Sequence, residues 1–292
     1  MHMHMHMHME GRSESGSLEA RYERDGCVFP VTQQLGSPEA VDGLDALCTR
    51  LVAGRPPTLA PEDLLNLHYT VPAMLAACRH PALVGMARRL LGVEAVSIFT
   101  SRILCKAPRT GKAIAWHQDS NYWPLIPPGG ERVAPRVASV WLALDDVGLD
   151  NGPVYFLPFP AQPDSDGRNV EELVLDAGGG TDGFDNFNLS LDATRLNEAG
   201  AVPVLLERGD ASWHGAWTIH RSDTNASDRR RLAFIVRYVP TGTRVAGGVR
   251  GSFDESYDFV PASGPGSDET RPPAAGDAYA PCFGKSAAAL NK

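Results

Sequence analysis

The sequence predicts a mainly β protein with an α-helical cover, a jelly roll or β-sandwich core flanked by N-terminal helices. Two observations carry this expectation. Helical periodicity is concentrated in residues 37–92, and from residue 94 the chain breaks into short β-branched and aromatic segments without helical crossovers. In "VASVWLALDD" both alternate faces are largely apolar, which suits a strand packed on both sides rather than one facing water.

The elements follow in order. In "SPEAVDGLDALCTRLVAG" Ser37 stands at the N-cap, Pro38 at the first helical position and Glu39 behind it. Val41, Leu44, Cys48, Leu51 and Val52 then share a helical face, and Gly54 ends the helix. The block "VPAMLAACRHPALVGMARRLLG" reads as two helices broken at His80-Pro81, because proline cannot continue a helix through its own position. Gly92 closes the second. Strands are expected in "VEAVSIFTSRILCKAP", "RVASVWLALDDV", "GPVYFLP", "AVPVLLERGDASWHGAWTIH" and "RLAFIVRYVP", bounded by Gly, Pro and Asp-Asn turns.

Residues 160–200 contain "DAGGGTDGFDNFN", an irregular stretch of the kind that is functional or mobile when it interrupts a compact domain. The expected organisation is one domain over residues 18–245, with the helical cover at 37–92 and the core at 94–240. Residues 246–292 form a Gly/Pro-rich C-terminal extension. Residues 1–9, "MHMHMHMHM", have no apolar run and read as a metal-affinity tag.

Composition narrows the function. With 292 residues, 43% of them hydrophobic, and a net charge of −8, the chain is ordinary globular protein and offers no basic stripe for nucleic acid. No apolar run reaches the ~18 residues of a membrane span. Cys27, Cys48, Cys78, Cys105 and Cys282 are odd in number and form no CxxC pair, so free thiols in a reducing cytoplasm are expected. A small-molecule substrate, no nucleic-acid or membrane partner, and a monomer or homodimer are the corresponding expectations.

The chemistry centres on "AWHQDSNYWPL", residues 115–125. A two-residue spacing in a strand places His117 and Asp119 on one side, where both can reach one metal ion. His68 and His80 lie in the helical cover and are most simply structural. The remaining third-ligand candidates, His214 and His220, lie in "GDASWHGAWTIHRSDTNASDRRR". Two histidines and one carboxylate leave three metal positions open, the arrangement of non-haem Fe(II) oxygenases, whereas a zinc site would be complete with four ligands. The open positions suit a 2-oxo acid and O2. An arginine is the natural partner for the far carboxylate of the acid, since guanidinium binds carboxylate in two parallel hydrogen bonds. Arg231, at the head of "LAFIVRYVP", would point into the barrel mouth if that strand lies beside the one bearing His220. Arg229 and Arg230 read as solvated turn residues.

These segments resemble the phytanoyl-CoA dioxygenase family of Fe(II)/2-oxoglutarate-dependent oxygenases. The similarity runs through "LHYTVPAMLAACRHPALVGMARRLLG", "KAPRTGKAIAWHQDSNYWPL", "VASVWLALDDVGLDNGPVYFLP" and, most specifically, "GDASWHGAWTIHRSDTNASDRRRLAFIVRYVP". It covers about residues 20–245. The resemblance implies a double-stranded β-helix, a cupin-like jelly roll. It implies His117, Asp119 and His220 as Fe(II) ligands, the H-x-S-x-x-N-x-S pattern after His220 selecting it over His214. It implies Arg231 and Ser222 as partners of 2-oxoglutarate and Trp141 as a wall of that pocket. Two departures bear on the substrate mouth: "LPFPAQ" replaces the usual Pro-Gly-Ser-His strand end, and Arg221 sits where a small residue is usual.

Tyr122 and Trp123 could line the substrate cavity, and Phe184 and Phe187 could form a lid over it. Trp116 reads as core. The expected activity is oxidation of an unactivated C–H bond of a small molecule, in bacterial secondary or amino-acid metabolism, with release of succinate and CO2. A halogenase is disfavoured, since such enzymes give the carboxylate position to chloride. The competing reading is a cupin-like metal hydrolase or isomerase without 2-oxoglutarate, which would have no use for Arg231 or Ser222.

Overall fold

The computed structural model describes residues 16–61, 64–123, 125–129, 136–159, 191, 194, 196–245 and 259–264. The helical cover comprises α1 (Leu18–Asp25), α2 (Pro38–Gly54), α3 (Pro72–Cys78) and α4 (Pro81–Leu91). The strands are β1 (Cys27–Val31), β2 (Leu64–Leu65), β3 (Val96–Lys106), β4 (Ile114–His117), β5 (Leu125–Ile126), β6 (Ala138–Ala143) and β7 (Val154–Leu157). They continue with β8 (Val202–Val204), β9 (Ala211–Gly215), β10 (Ile219–Ser222), β11 (Arg231–Pro240), β12 (Arg244–Val245) and β13 (Val260–Pro261).

The larger sheet runs β1-β9-β6-β11-β3-β13 with β2 also on β3, and the smaller runs β4-β10-β7-β8. All pairings between these strands are antiparallel, as a jelly roll requires. Strand β11 shows why both of its faces are apolar. Leu232, Phe234 and Val236 join the cluster that also holds Val41, Leu44 and Met74 of the helices. Ala233 and Ile235 pack instead with Trp141 and Phe156 between the two sheets. Tyr238 donates to the Cys78 carbonyl at 2.6 Å, fixing β11 to the end of α3. Removing a fully buried ring such as Phe234 would cost about 3–5 kcal/mol.

The helix ends follow the sequence. The Ser37 hydroxyl accepts from the Ala40 amide at 3.2 Å, and α2 buries Val41, Leu44 and Cys48. The break at His80-Pro81 separates α3 from α4, with His80 capping α4 through its ring nitrogen and Gly92 ending it in the left-handed conformation.

Two details depart from the sequence reading. A short helix, α1, and a strand, β1, precede the expected 37–92 cover, and β1 pairs at the sheet edge with β9; an edge strand tolerates Pro30, whose missing N–H weakens the sequence signal. Arg230 is no solvated turn residue. It bridges Asp145 at 3.0 Å and Asp45 of α2 at 2.6 Å, so it clamps the cover onto the barrel. Arg229 does lie exposed, beside Asp150.

Candidate metal centre

His117 ends β4 and His220 lies on β10, and the two are direct partners across this antiparallel pair. Such opposition brings side chains together, and the ring centroids stand 4.0 Å apart. Each ring is oriented by the same device. His117 Nδ1 bonds the Ala115 carbonyl at 2.8 Å and His220 Nδ1 the Thr218 carbonyl at 2.9 Å. Donation from Nδ1 leaves each Nε2 as a bare acceptor, the form that ligates a metal.

Asp119 lies beyond β4, at the start of a 3-10 turn over Asp119–Tyr122, while Gln118 between it and His117 remains extended. The alternation that puts both ligands on one side therefore survives past the strand end. The turn is tied to the β9–β10 connection, Gln118 Nε2 donating to Trp217 O at 2.7 Å and Ser120 N to Ala216 O at 2.9 Å. Ligand atoms of His117, Asp119 and His220 all fall within 4.8 Å of one another. This is the metal-competent set among the described residues.

Electrostatics match that role. Burial, reinforced by the facing His220, pushes His117 down to about 3, and burial pushes His220 down to about 4. Both imidazoles are therefore neutral ligands at ordinary pH. Burial would raise the Asp119 carboxyl, but Arg237 and the surrounding histidines outweigh it and hold the group well below the usual carboxylate range. Two neutral nitrogens and one carboxylate oxygen fit a divalent ion with open coordination positions.

The neighbouring cavity between the sheets has an empty volume of about 510 Å³, part of it open to solvent. His117 and His220 contribute to one wall, and Arg102, Trp141, Arg231 and Arg237 to the wall made by the larger sheet. Arg231 is fully buried, with its guanidinium 5.1 Å from the Trp141 ring centroid and donating to the Gly152 carbonyl. Gly152 has φ +83°, and a Cβ there would stand 2.6 Å from the Asp223 carbonyl oxygen, so the Asp-Asn-Gly turn needs glycine to reach this position. Asn225, within H-x-S-x-x-N-x-S, shapes the loop between His220 and Arg231. Its amide donates to the Lys106 and Arg229 carbonyls at 3.0 and 2.6 Å, and its Oδ1 accepts from Ser227.

Ser222 lines the cavity and accepts from Lys106 Nζ at 2.8 Å. Trp123 packs with Phe99, Leu125 and Val137, and Arg237 lies over its ring. Trp116 is buried with Leu157 and Ile219. Tyr122 belongs to the 3-10 turn, and Phe184 and Phe187 lie outside the described residues. Arg221 stands over the Tyr155 ring at 4.1 Å and pairs with Asp223, forming part of the cavity lining.

Three cations escaped the sequence reading. Arg102 and Lys106 share a face of β3, and Arg237 shares the Arg231 face of β11 at an even spacing. Charges inside otherwise apolar strands are the signal that would have found them. His214 also approaches the site. Its Nε2 is 3.6 Å from Asp119 Oδ2, though it falls outside the ligand cluster.

The phytanoyl-CoA dioxygenase (PhyH) family model matches residues 63–233, more than half the chain. L-proline trans-4-hydroxylase of Streptomyces griseoviridis is 27% identical over 259 residues, covering 83% of this chain and 93% of that protein. Phytanoyl-CoA dioxygenase domain-containing protein 1 of Mus musculus is 28% identical over 185 residues, covering 60% of this chain and 57% of its own length. Among solved structures, the non-heme alpha ketoglutarate dependent carbocyclase SnoK from nogalamycin biosynthesis superposes with a TM-score of 0.60 at 25% identity, covering 82% of this chain and 88% of that one. The chain belongs to the phytanoyl-CoA dioxygenase family, and its jelly-roll core carries a His-Asp-His cluster able to hold a metal ion.

Proposed function

We propose that this protein is an Fe(II)/2-oxoglutarate-dependent oxygenase that oxidises an unactivated C–H bond of a small molecule. The observation that carries the reading is the convergence of His117, Asp119 and His220 on one point beside a cavity that also holds the buried Arg231. His117 Nε2, His220 Nε2 and an Asp119 oxygen would hold the iron. When bound, iron supplies O2 activation coupled to the decarboxylation of 2-oxoglutarate to succinate and CO2.

The chain's own groups do the rest. Arg231 receives the distal carboxylate of 2-oxoglutarate, with the Ser222 hydroxyl beside it and Lys106 holding that hydroxyl in place. Trp141 orients the guanidinium through its ring face. Leu104, Ile114, Val154 and Phe156 line the cavity with apolar surface and limit the water that reaches the reacting groups. The hydrolase or isomerase alternative is not favoured, because it gives a buried arginine in this cavity no task.

The substrate is read as a small polar metabolite such as an amino-acid derivative. The relative that aligns over most of both chains hydroxylates L-proline, and this supports the size class. Buried thiols at Cys48 and Cys78, outside any disulfide, suit a reducing compartment, and among the described residues no helix is long and apolar enough to cross a membrane. The test is succinate release from 2-oxoglutarate by iron-loaded, tag-free protein across a panel of amino acids and their derivatives. Substrate-stimulated succinate supports the reading. Metal-dependent turnover of a substrate without consumption of 2-oxoglutarate would sink it.

A further inference from the structure

The two oxygens of Asp119 have different neighbours. Oδ1 faces His117, with Nε2 at 4.0 Å. Oδ2 faces the larger sheet, where Arg237 Nε stands 3.4 Å away and His214 Nε2 3.6 Å away. Neither group is there by accident of a loose side chain. Arg237 is held on three sides: its guanidinium lies 5.0 Å from the Trp123 ring centroid, Nη1 is 3.4 Å from Thr100 Oγ1, and Nε faces the carboxylate. His214 is buried on β9 and lines the cavity; its Nδ1 has no hydrogen-bond partner among the described residues, and its Nε2 is directed at Asp119 Oδ2, just beyond ordinary hydrogen-bond length. A buried imidazole left without a partner is costly, and the acceptor that His214 Nε2 faces, at 3.6 Å, is Asp119 Oδ2.

We propose that Arg237 and His214 are positioning residues that together retain Asp119 Oδ2, so that the carboxylate offers the metal only Oδ1. This rests on the oxygenase reading above, and it answers a requirement of that reading. Two imidazoles and one oxygen would leave a bound divalent ion room for a chelating 2-oxo acid and for O2. A carboxylate free to turn would chelate through both oxygens and take part of that room. Charge-assisted bonds from Arg237 and an N–H from His214 oppose that rotation. Because both groups contact the ligand rather than the reacting atoms, their loss should appear in metal binding itself.

The test is anaerobic titration of tag-free wild type, Arg237→Gln, Arg237→Lys, His214→Leu and His214→Gln with Co(II), read by visible absorption before and after addition of 2-oxoglutarate. Circular dichroism checks the fold of each variant. Arg237→Gln and His214→Leu are expected to bind Co(II) about 10–100-fold more weakly and to show an altered Co(II) spectrum. Arg237→Lys and His214→Gln, which keep an N–H donor, should recover part of both. Wild-type affinity and spectrum in folded Arg237→Gln and His214→Leu would overturn the proposal while leaving the oxygenase reading intact. If Arg237→Gln does not fold, Arg237→Lys and the His214 pair decide by the same readouts. A wild type that binds no Co(II), or whose Co(II) spectrum ignores 2-oxoglutarate, would overturn the oxygenase reading and this proposal with it.

Discussion

His117 and His220 are cross-strand partners whose rings stand 4.0 Å apart, each with Nδ1 bonded to the carbonyl two residues before it. Two strands of one ladder thus deliver two imidazoles, each anchored through Nδ1, to one point. Substituting either with alanine should abolish stoichiometric iron binding while leaving the thermal transition of the metal-free protein within a few degrees of wild type. Metal analysis after anaerobic loading, with the His-rich residues 1–9 removed, checks it; retained iron in His220→Ala would instead bring His214 forward as a ligand.

Arg231→Gln should weaken 2-oxoglutarate far more than it weakens metal. Losing a charge-assisted hydrogen bond costs about 1.5–3 kcal/mol, which is roughly a tenfold to hundredfold rise in Kd. Comparing co-substrate and metal titrations on the same variant separates the two effects, and an equal loss of both would point to misfolding rather than recognition.

Lys106 is fully buried, with its ammonium on Ser222 Oγ and the Asp223 carbonyl. Lys106→Met keeps the stem and removes the charge, leaving both oxygens short of a donor. A stability loss of about 1–3 kcal/mol is expected, together with weaker 2-oxoglutarate binding, because Ser222 is no longer held. Denaturant unfolding beside co-substrate titration tests the pair; an unchanged Kd for 2-oxoglutarate would confine Lys106 to a structural part.

The pH dependence of the metal-free protein has a definite sign. In the unfolded chain both ligand imidazoles take up protons near 6.5, whereas burial delays this to about 3 for His117 and about 4 for His220 in the folded state. Between those values the unfolded state binds more protons, so folding stability falls as pH drops below 6.5. Replacing both with glutamine should flatten melting temperature against pH over that interval. An equally steep loss in the double variant would assign the acid sensitivity elsewhere.

Much of this site was legible in the chain because its parts are local. His-x-Asp reads as two groups on one face of extended backbone, and the reading holds even though β4 stops at His117, since Gln118 continues the extended conformation. The helix cap at Ser37 was legible for the same reason, a short-range side-chain bond, and the break at His80-Pro81 from the proline; that the His80 ring itself caps α4 was not. Arg237, Lys106 and Arg102 were not. Each is a charge within a predicted strand, which marks the residue, but its role depends on which strand of another part of the chain lies opposite, information that only the assembled sheets hold. The clamp made by Arg230 on Asp45 was hidden likewise, since its partner is 185 residues away.

The central claim is that His117, Asp119, His220 and Arg231 form one site that takes Fe(II) and 2-oxoglutarate together. The most direct measurement is anaerobic titration of protein lacking the His-rich residues 1–9 with both, following the weak visible charge-transfer absorption of the chelated co-substrate. The account predicts that the band appears with wild type and is lost in Asp119→Ala and in Arg231→Ala. Iron binding without the band would contradict it and return the site to a metal enzyme of another kind.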